Sequence, residues 1–121
     1  MLKLSSLNHT WILDVDGTLV VHNGHLKGKD ILLDGVREFF DRIPKEDKVI
    51  LLTARKEQYL ENLKEFLAQN NIKYDYLLTD MPMGERILVN DKKPSGLKTA
   101  FAINKNRDDA FEVKFEIDES L

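Results

Sequence analysis

The sequence predicts an α/β domain built on a mainly parallel sheet. Two short apolar runs of strand length, Thr10–Asp14 and Lys48–Leu52, alternate with two segments, Ile31–Ile43 and Arg55–Gln69, whose apolar residues recur at helical spacing. That alternation is the pattern of parallel strands joined by right-handed helical crossovers. Both strand-like runs end at a residue able to do chemistry, Asp14 in the first and Thr53 after the second. In open α/β sheets, ligands bind at that end of the strands.

A length of 121 residues suits one domain spanning 1–121, with a real core and no room for a large second domain. Eighteen basic and 21 acidic residues give a net charge of −3, which argues against broad nucleic-acid affinity. No cysteine is present, so neither a disulfide framework nor thiol chemistry is available. No run approaches the length of a membrane span and Met1–Thr10 lacks a long apolar core, so the expectation is a cytoplasmic protein without a membrane partner.

The elements follow in order. Met1–Asn8 is a lead-in or a short first strand. Thr10–Asp14 is a buried strand. In Leu19–Asp30, Asn23-Gly24 between apolar stretches signals a hairpin, with His22 and His25 as solvated tip residues. Ile31, Leu32, Val36, Phe39, Phe40 and Ile43 mark one helix face, and Pro44 ends it. Lys48–Leu52 reads as a strand buried on both sides. Arg55–Gln69 is an amphipathic helix closed by Asn70-Asn71, and Tyr74–Leu78 is a third strand. After the turn Asp80–Gly84, Arg86–Val89 is expected as a fourth strand and Lys98–Ile103 as a fifth, with no helix before the fourth. Phe111, Val113, Phe115 and Ile117 alternate with charged residues, the period of a half-buried edge strand.

Asp14 and Asp16 stand two apart, with Gly17-Thr18 after them. Residues two apart on a strand share a face. Two carboxylates that close repel unless a positive group holds them, and a divalent cation does so well. Magnesium suits carboxylates and carbonyls in sites shared with a substrate phosphate. An Asp-Gly turn alone would explain part of the pattern.

The stretch Trp11–Val20, with its Asp14-x-Asp16-Gly17-Thr18, resembles motif I of the haloacid dehalogenase-like (HAD) superfamily. The resemblance implies a three-layer, Rossmann-like parallel sheet with helices on both faces and a small flap hairpin after motif I. It implies Asp14 as a nucleophile that takes a phosphoryl group, and Asp16 as general acid and base. Val49–Arg55 resembles motif II, in which Thr53 and the backbone at Ala54 hold phosphate oxygens and Arg55 adds a charged contact. Ile87–Asp91 resembles motif IV, in which Asp91 joins Asp14 and the backbone carbonyl of Asp16 as ligands of magnesium (Mg2+). The basic residue of motif III falls to Arg86 by position, with Lys92 and Lys93 as alternatives.

The intervals between these motifs hold no cap domain, so the resemblance is to small capless phosphatases of sugar-phosphate and surface-glycan biosynthesis. The implied function is a magnesium-dependent phosphomonoesterase acting on a phosphorylated small molecule such as a sugar phosphate. The alternatives are a polynucleotide 3′-phosphatase and a regulatory module that binds magnesium or phosphate without turnover. An open site implies a large substrate or a neighbouring subunit. Phe111–Ile117 is one surface for a homo-oligomer.

Overall fold

The computed structural model describes residues 1–121 and shows an α/β arrangement of two small parallel sheets and two helices. The strands are β1 (Leu2–Leu4), β2 (Thr10–Asp14), β3 (Lys48–Leu52), β4 (Tyr76–Leu78) and β5 (Phe115–Ile117). The helices are α1 (Val36–Arg42) and α2 (Leu60–Gln69). β2, β3 and β4 form one sheet in that order, with Asp14 opposite Leu52 and Leu52 opposite Leu78. β1 pairs with β5 in a separate two-stranded sheet.

The β2–α1–β3–α2–β4 run matches the alternation expected from the sequence, because both connections carry a helix and can return the chain parallel. Leu63 and Leu67, one turn apart, are fully buried on the inward face of α2. Asn70 closes that helix by donating its side-chain amide to the Phe66 carbonyl (2.9 Å), and Asn71 follows with a left-handed φ of 56°. Val49 and Leu51 of β3 are buried, whereas no residue of β2 is and Ile12 is 48% exposed, so β2 is not the buried strand its apolar run predicts and β3 is buried on one side only.

α1 starts at Val36, five residues later than the apolar spacing predicts. Ile31 and Leu33 instead make backbone hydrogen bonds with Val21 and Leu19 (3.0 and 2.9 Å). These bonds close the Leu19–Asp30 loop, whose far end is a 3-10 turn at Gly24–Leu26 rather than a two-residue hairpin turn. Gly35, with φ 89°, turns the chain into α1, and a β-carbon there would sit 2.1 Å from the Phe111 carbonyl oxygen. Only glycine tolerates both conditions.

The strands expected at Arg86–Val89 and Lys98–Ile103 do not form. Residues 79–85 are too few for a parallel crossover, which takes a dozen or more. The chain leaving β4 is also drawn across the end of β3. Asp80 N–H donates to the Arg55 carbonyl (2.8 Å) and Met81 N–H to the Thr53 carbonyl (3.1 Å). It therefore does not turn back along the free edge of β4. Ile87 and Val89 are 85% and 89% exposed, and a turn at Lys93–Leu97 reverses the chain so that Asn90 donates to Thr99.

The alternating segment near the C-terminus forms only the short β5, and it contributes to the core. Phe111 and Phe115 are buried, and both pack against Phe39, with ring centroids 4.7 and 6.1 Å away. Trp11 joins them 5.2 Å from Phe39 and 5.0 Å from Phe115. The Trp11 indole N–H and the His9 amide and ring Nδ1 all reach the buried Asp47 carboxylate at 2.9 Å. That network fixes the start of β2 and hence the line along which Asp14 emerges. No helix is long and apolar enough to cross a membrane.

Candidate functional site

β2 delivers Asp14 to the sheet's carboxyl edge, and the ladder runs one residue further, with Val15 N–H donating to the Leu52 carbonyl (3.0 Å). The chain then coils tightly. The Val15 carbonyl accepts from Leu19 (2.9 Å) and Val20 (3.2 Å), and Gly17 N–H donates to the Val20 carbonyl (2.7 Å). Gly17 has φ 82°, and a β-carbon there would meet Arg107 Cγ at 3.1 Å. Glycine thus lets the loop turn and lets Arg107 pack over it.

Within this loop the two carboxylates have separate partners. Asp14 Oδ2 accepts from Thr18 Oγ1 (2.9 Å), and Oδ1 accepts from Arg86 Nη1 (2.7 Å). The Asp14 side chain is 35% exposed. Asp16 Oδ2 accepts from Thr53 Oγ1 (2.7 Å), and Oδ1 accepts from Arg55 Nε (2.9 Å), with Arg55 Nη2 at 2.8 Å. The Asp16 side chain is 15% exposed and that of Arg55 is 2% exposed.

The other side of the Arg55 guanidinium forms a two-pronged pair with Asp30, Nη1 to Oδ2 at 3.0 Å and Nη2 to Oδ1 at 2.6 Å. Such planar, charge-assisted pairs are the strong and geometrically specific ones. Burial pushes the Asp16 carboxyl up, but hydrogen bonds from Arg55 and Thr53 and the nearby positive charge outweigh it. The carboxyl is held below its ordinary range. Burial pulls the Arg55 guanidinium down, and the two carboxylates more than reverse this.

The structure thus brings together Asp14, Asp16, Thr53, Arg55 and Arg86 from the residues singled out in the sequence. Arg55 is placed differently from expectation, because its donors point to Asp16 and Asp30 and not outward. The helix expected to open at Arg55 begins later, with a 3-10 turn at Glu57–Tyr59 and α2 from Leu60, so no helix N-terminus faces the site at Ala54. Ala54 lies in the connecting loop, and its amide donates to no acceptor in the chain. Arg86 is the basic residue that reaches Asp14, across the end of the sheet, because the chain after β4 is held there.

Asp91 is not brought to the site. It lies exposed on the segment that failed to form a strand, and its backbone carbonyl accepts from Thr99 Oγ1. Lys92 and Lys93 are exposed beside it and form no ion pair. No group of three or more His, Cys, Asp or Glu side chains converges. With Asp91 apart and the Asp14 and Asp16 carboxylates turned to protein donors, the ligand set that the resemblance implies for magnesium is not assembled.

Several participants carry no sequence signal. Asp30 is one, since an acid after Gly-Lys is common surface composition. The segment 105–108 is another. Asp108 N–H donates to the Gly17 carbonyl (2.9 Å), Asp108 Oδ1 accepts from His22 N–H (2.7 Å), and Lys105 Nζ reaches the Gly17 carbonyl (3.3 Å). His25, expected to be a solvated tip, instead rests edge-on against Tyr59 with centroids 4.9 Å apart, and its Nδ1 is buried without a partner. Burial and the Arg55 charge hold that imidazole below its ordinary value, against the pull of Asp16 and Asp30.

No family model, curated protein or solved structure matches the chain.

Proposed function

We propose that the chain is a phosphomonoesterase of the HAD type, working through an aspartyl-phosphate on Asp14. The reading carries with it the three-layer arrangement of that superfamily and an open site for a sugar phosphate or related metabolite. The observation that supports it most is the placing of Asp14. It is a partly exposed carboxylate at the carboxyl edge of a parallel sheet, with a basic group on one oxygen and a second carboxylate anchored two residues on.

In this reading Asp14 Oδ attacks phosphorus as the bond to the leaving oxygen breaks. Arg86 spans the attacking carboxylate and the phosphoryl oxygens, since only its Nη1 is engaged within the chain. The Ala54 amide supplies a further donor. Asp16, ionised at rest beside Arg55 and Thr53, takes up the proton that the monoanionic ester carries as it binds, and passes it to the departing alcohol. It then takes a proton from the water that attacks phosphorus and frees Asp14. Covalent catalysis splits one difficult displacement into two, and charge neutralisation with positioning supplies most of the acceleration.

The test is hydrolysis of a panel of phosphate monoesters, with magnesium and after chelation, by wild type and Asp14→Asn. Turnover in wild type and its loss in a folded Asp14→Asn variant support the reading. Undiminished turnover in the variant removes Asp14 as nucleophile. Magnesium enters through the resemblance alone, and the chelated arm decides it.

One observation favours a second reading, a phosphate-binding module without turnover: Asp91 stands apart from the two other acids the motif would join. Phosphate binding by wild type with no hydrolysis across the panel would establish it.

A further inference from the structure

The Asp16–Arg55–Asp30 cluster contains a residue that the mechanism above leaves without a task. Asp30 comes from the end of the loop that closes over the site, 14 residues after Asp16 and 25 before Arg55. Its side chain is 6% exposed, and both its oxygens are taken by Arg55. The guanidinium is therefore divided. Its Nη1–Nη2 edge lies on Asp30, and its Nε–Nη2 edge lies on Asp16 Oδ1.

Buried ion pairs are a poor source of net stability, because desolvation offsets most of the attraction. A shared, doubly pronged arginine does define direction. It fixes Asp16 Oδ1 from one side while Thr53 fixes Oδ2 from the other. Thr53 is itself pinned, since its Oγ1 accepts from Arg55 N–H (3.1 Å).

We propose that Asp30 is a positioning residue. By occupying one edge of Arg55 it keeps the guanidinium on Asp16 Oδ1 alone and off Oδ2, and so holds in place the carboxyl that serves the leaving oxygen of a substrate on Asp14. Arg55 acts as the second positioning residue and not as a phosphate ligand. The inference rests on the phosphomonoesterase reading for its chemistry, and on the four contacts of Arg55 for its geometry.

The test compares wild type, Asp30→Asn, Asp30→Glu and Arg55→Lys on an alkyl phosphate and on p-nitrophenyl phosphate. A poor alkoxide leaving group needs the proton from Asp16, whereas p-nitrophenolate leaves without one. Misaligning a general acid costs part of the roughly 10²–10⁴-fold that such a group supplies. In kcat/KM, which reports transfer of the phosphoryl group to Asp14 and not the later hydrolysis common to both esters, Asp30→Asn is therefore expected to lose about 10- to 100-fold on the alkyl ester and less than about threefold on the aryl ester. Asp30→Glu should recover part of the loss. Arg55→Lys should repeat the selective loss, because an ammonium cannot fork between two carboxylates, and it decides the matter if Asp30→Asn does not fold.

Equal losses of kcat/KM on both esters, or none, overturn the proposal. A separate arm follows the Arg55 Nε–H by nitrogen-15 NMR, where it should exchange slowly with water in wild type and faster in Asp30→Asn. If wild type hydrolyses no monoester, the phosphatase reading falls, while this arm still decides the placement. Unchanged exchange in Asp30→Asn overturns that placement.

Discussion

Asp14 and Asp16 are two residues apart, each is paired with an arginine, and their surroundings are opposite. The Asp14–Arg86 pair is more than one-third exposed on both sides and rests on one hydrogen bond of 2.7 Å. The Asp16–Arg55 pair is nearly sealed, and its arginine is shared with a second buried carboxylate. Solvent-exposed pairs contribute about 0–1 kcal/mol to stability, whereas breaking a buried one by removing a partner costs about 3–5 kcal/mol. The same sequence element thus carries a solvent-accessible carboxylate and a nearly sealed one. That division is the one the proposed mechanism needs, with Asp14 open to a substrate and Asp16 held in place.

The sharpest way to break the comparison is at the exposed pair. Asp14→Asn is expected to reduce turnover by at least about 10³-fold, since removing a nucleophile removes the covalent route. The melting temperature should move by only a few degrees, as befits an exposed pair. A large drop in thermal stability would show that Asp14 is structural and that the two carboxylates differ less than their exposure indicates.

The opposite pattern is expected at the buried pair. Arg55→Met leaves Asp16 and Asp30 facing each other without a counter-charge, and should destabilise the fold by about 3–5 kcal/mol. Chemical denaturation measures this directly. Arg86→Met, at the exposed pair, should cost less than about 1 kcal/mol in the same experiment while abolishing most of the turnover. If the two substitutions destabilised equally, the contrast between the pairs would be lost.

Much of this site was legible in the sequence, and the rest was hidden for identifiable reasons. Asp14, Asp16 and Thr53 follow directly from apolar strands that end in polar residues, because local pattern fixes where a strand stops. Arg86 was legible by position along the chain, though not the path that delivers it. Asp30 and Asp108 act through contacts 25 and 86 residues away in sequence, with no periodicity to mark them. The missing strands show the converse. Ile87-Leu88-Val89 and Phe101–Ile103 have strand composition, but 79–85 is too short to carry a parallel crossover and its backbone is committed at Thr53 and Arg55. The late start of α1 has the same origin. The helical spacing over Ile31–Ile43 is real, but Leu19 and Val21 compete for the first three residues by backbone pairing, and Gly35 provides the break.

The smallest expected effect lies in the acid response. The Asp16 carboxyl is held below its ordinary value in the folded chain. A group whose pKa is lowered on folding adds stability above its unfolded pKa and loses it as pH falls through the folded one. The contribution of Asp16 is therefore full at neutral pH and fades below about pH 4. Because Arg55 also holds Asp30, protonating Asp16 does not leave the guanidinium unpaired, and the loss is partial. Thermal melts from pH 7 to pH 3 should show a shallower decline for Asp16→Asn than for wild type below pH 4, with parallel curves above it. Identical slopes throughout would mean that the hydrogen bonds from Thr53 and Arg55 hold Asp16 no more tightly than water does, and the distinction between the two carboxylates would then rest on burial alone.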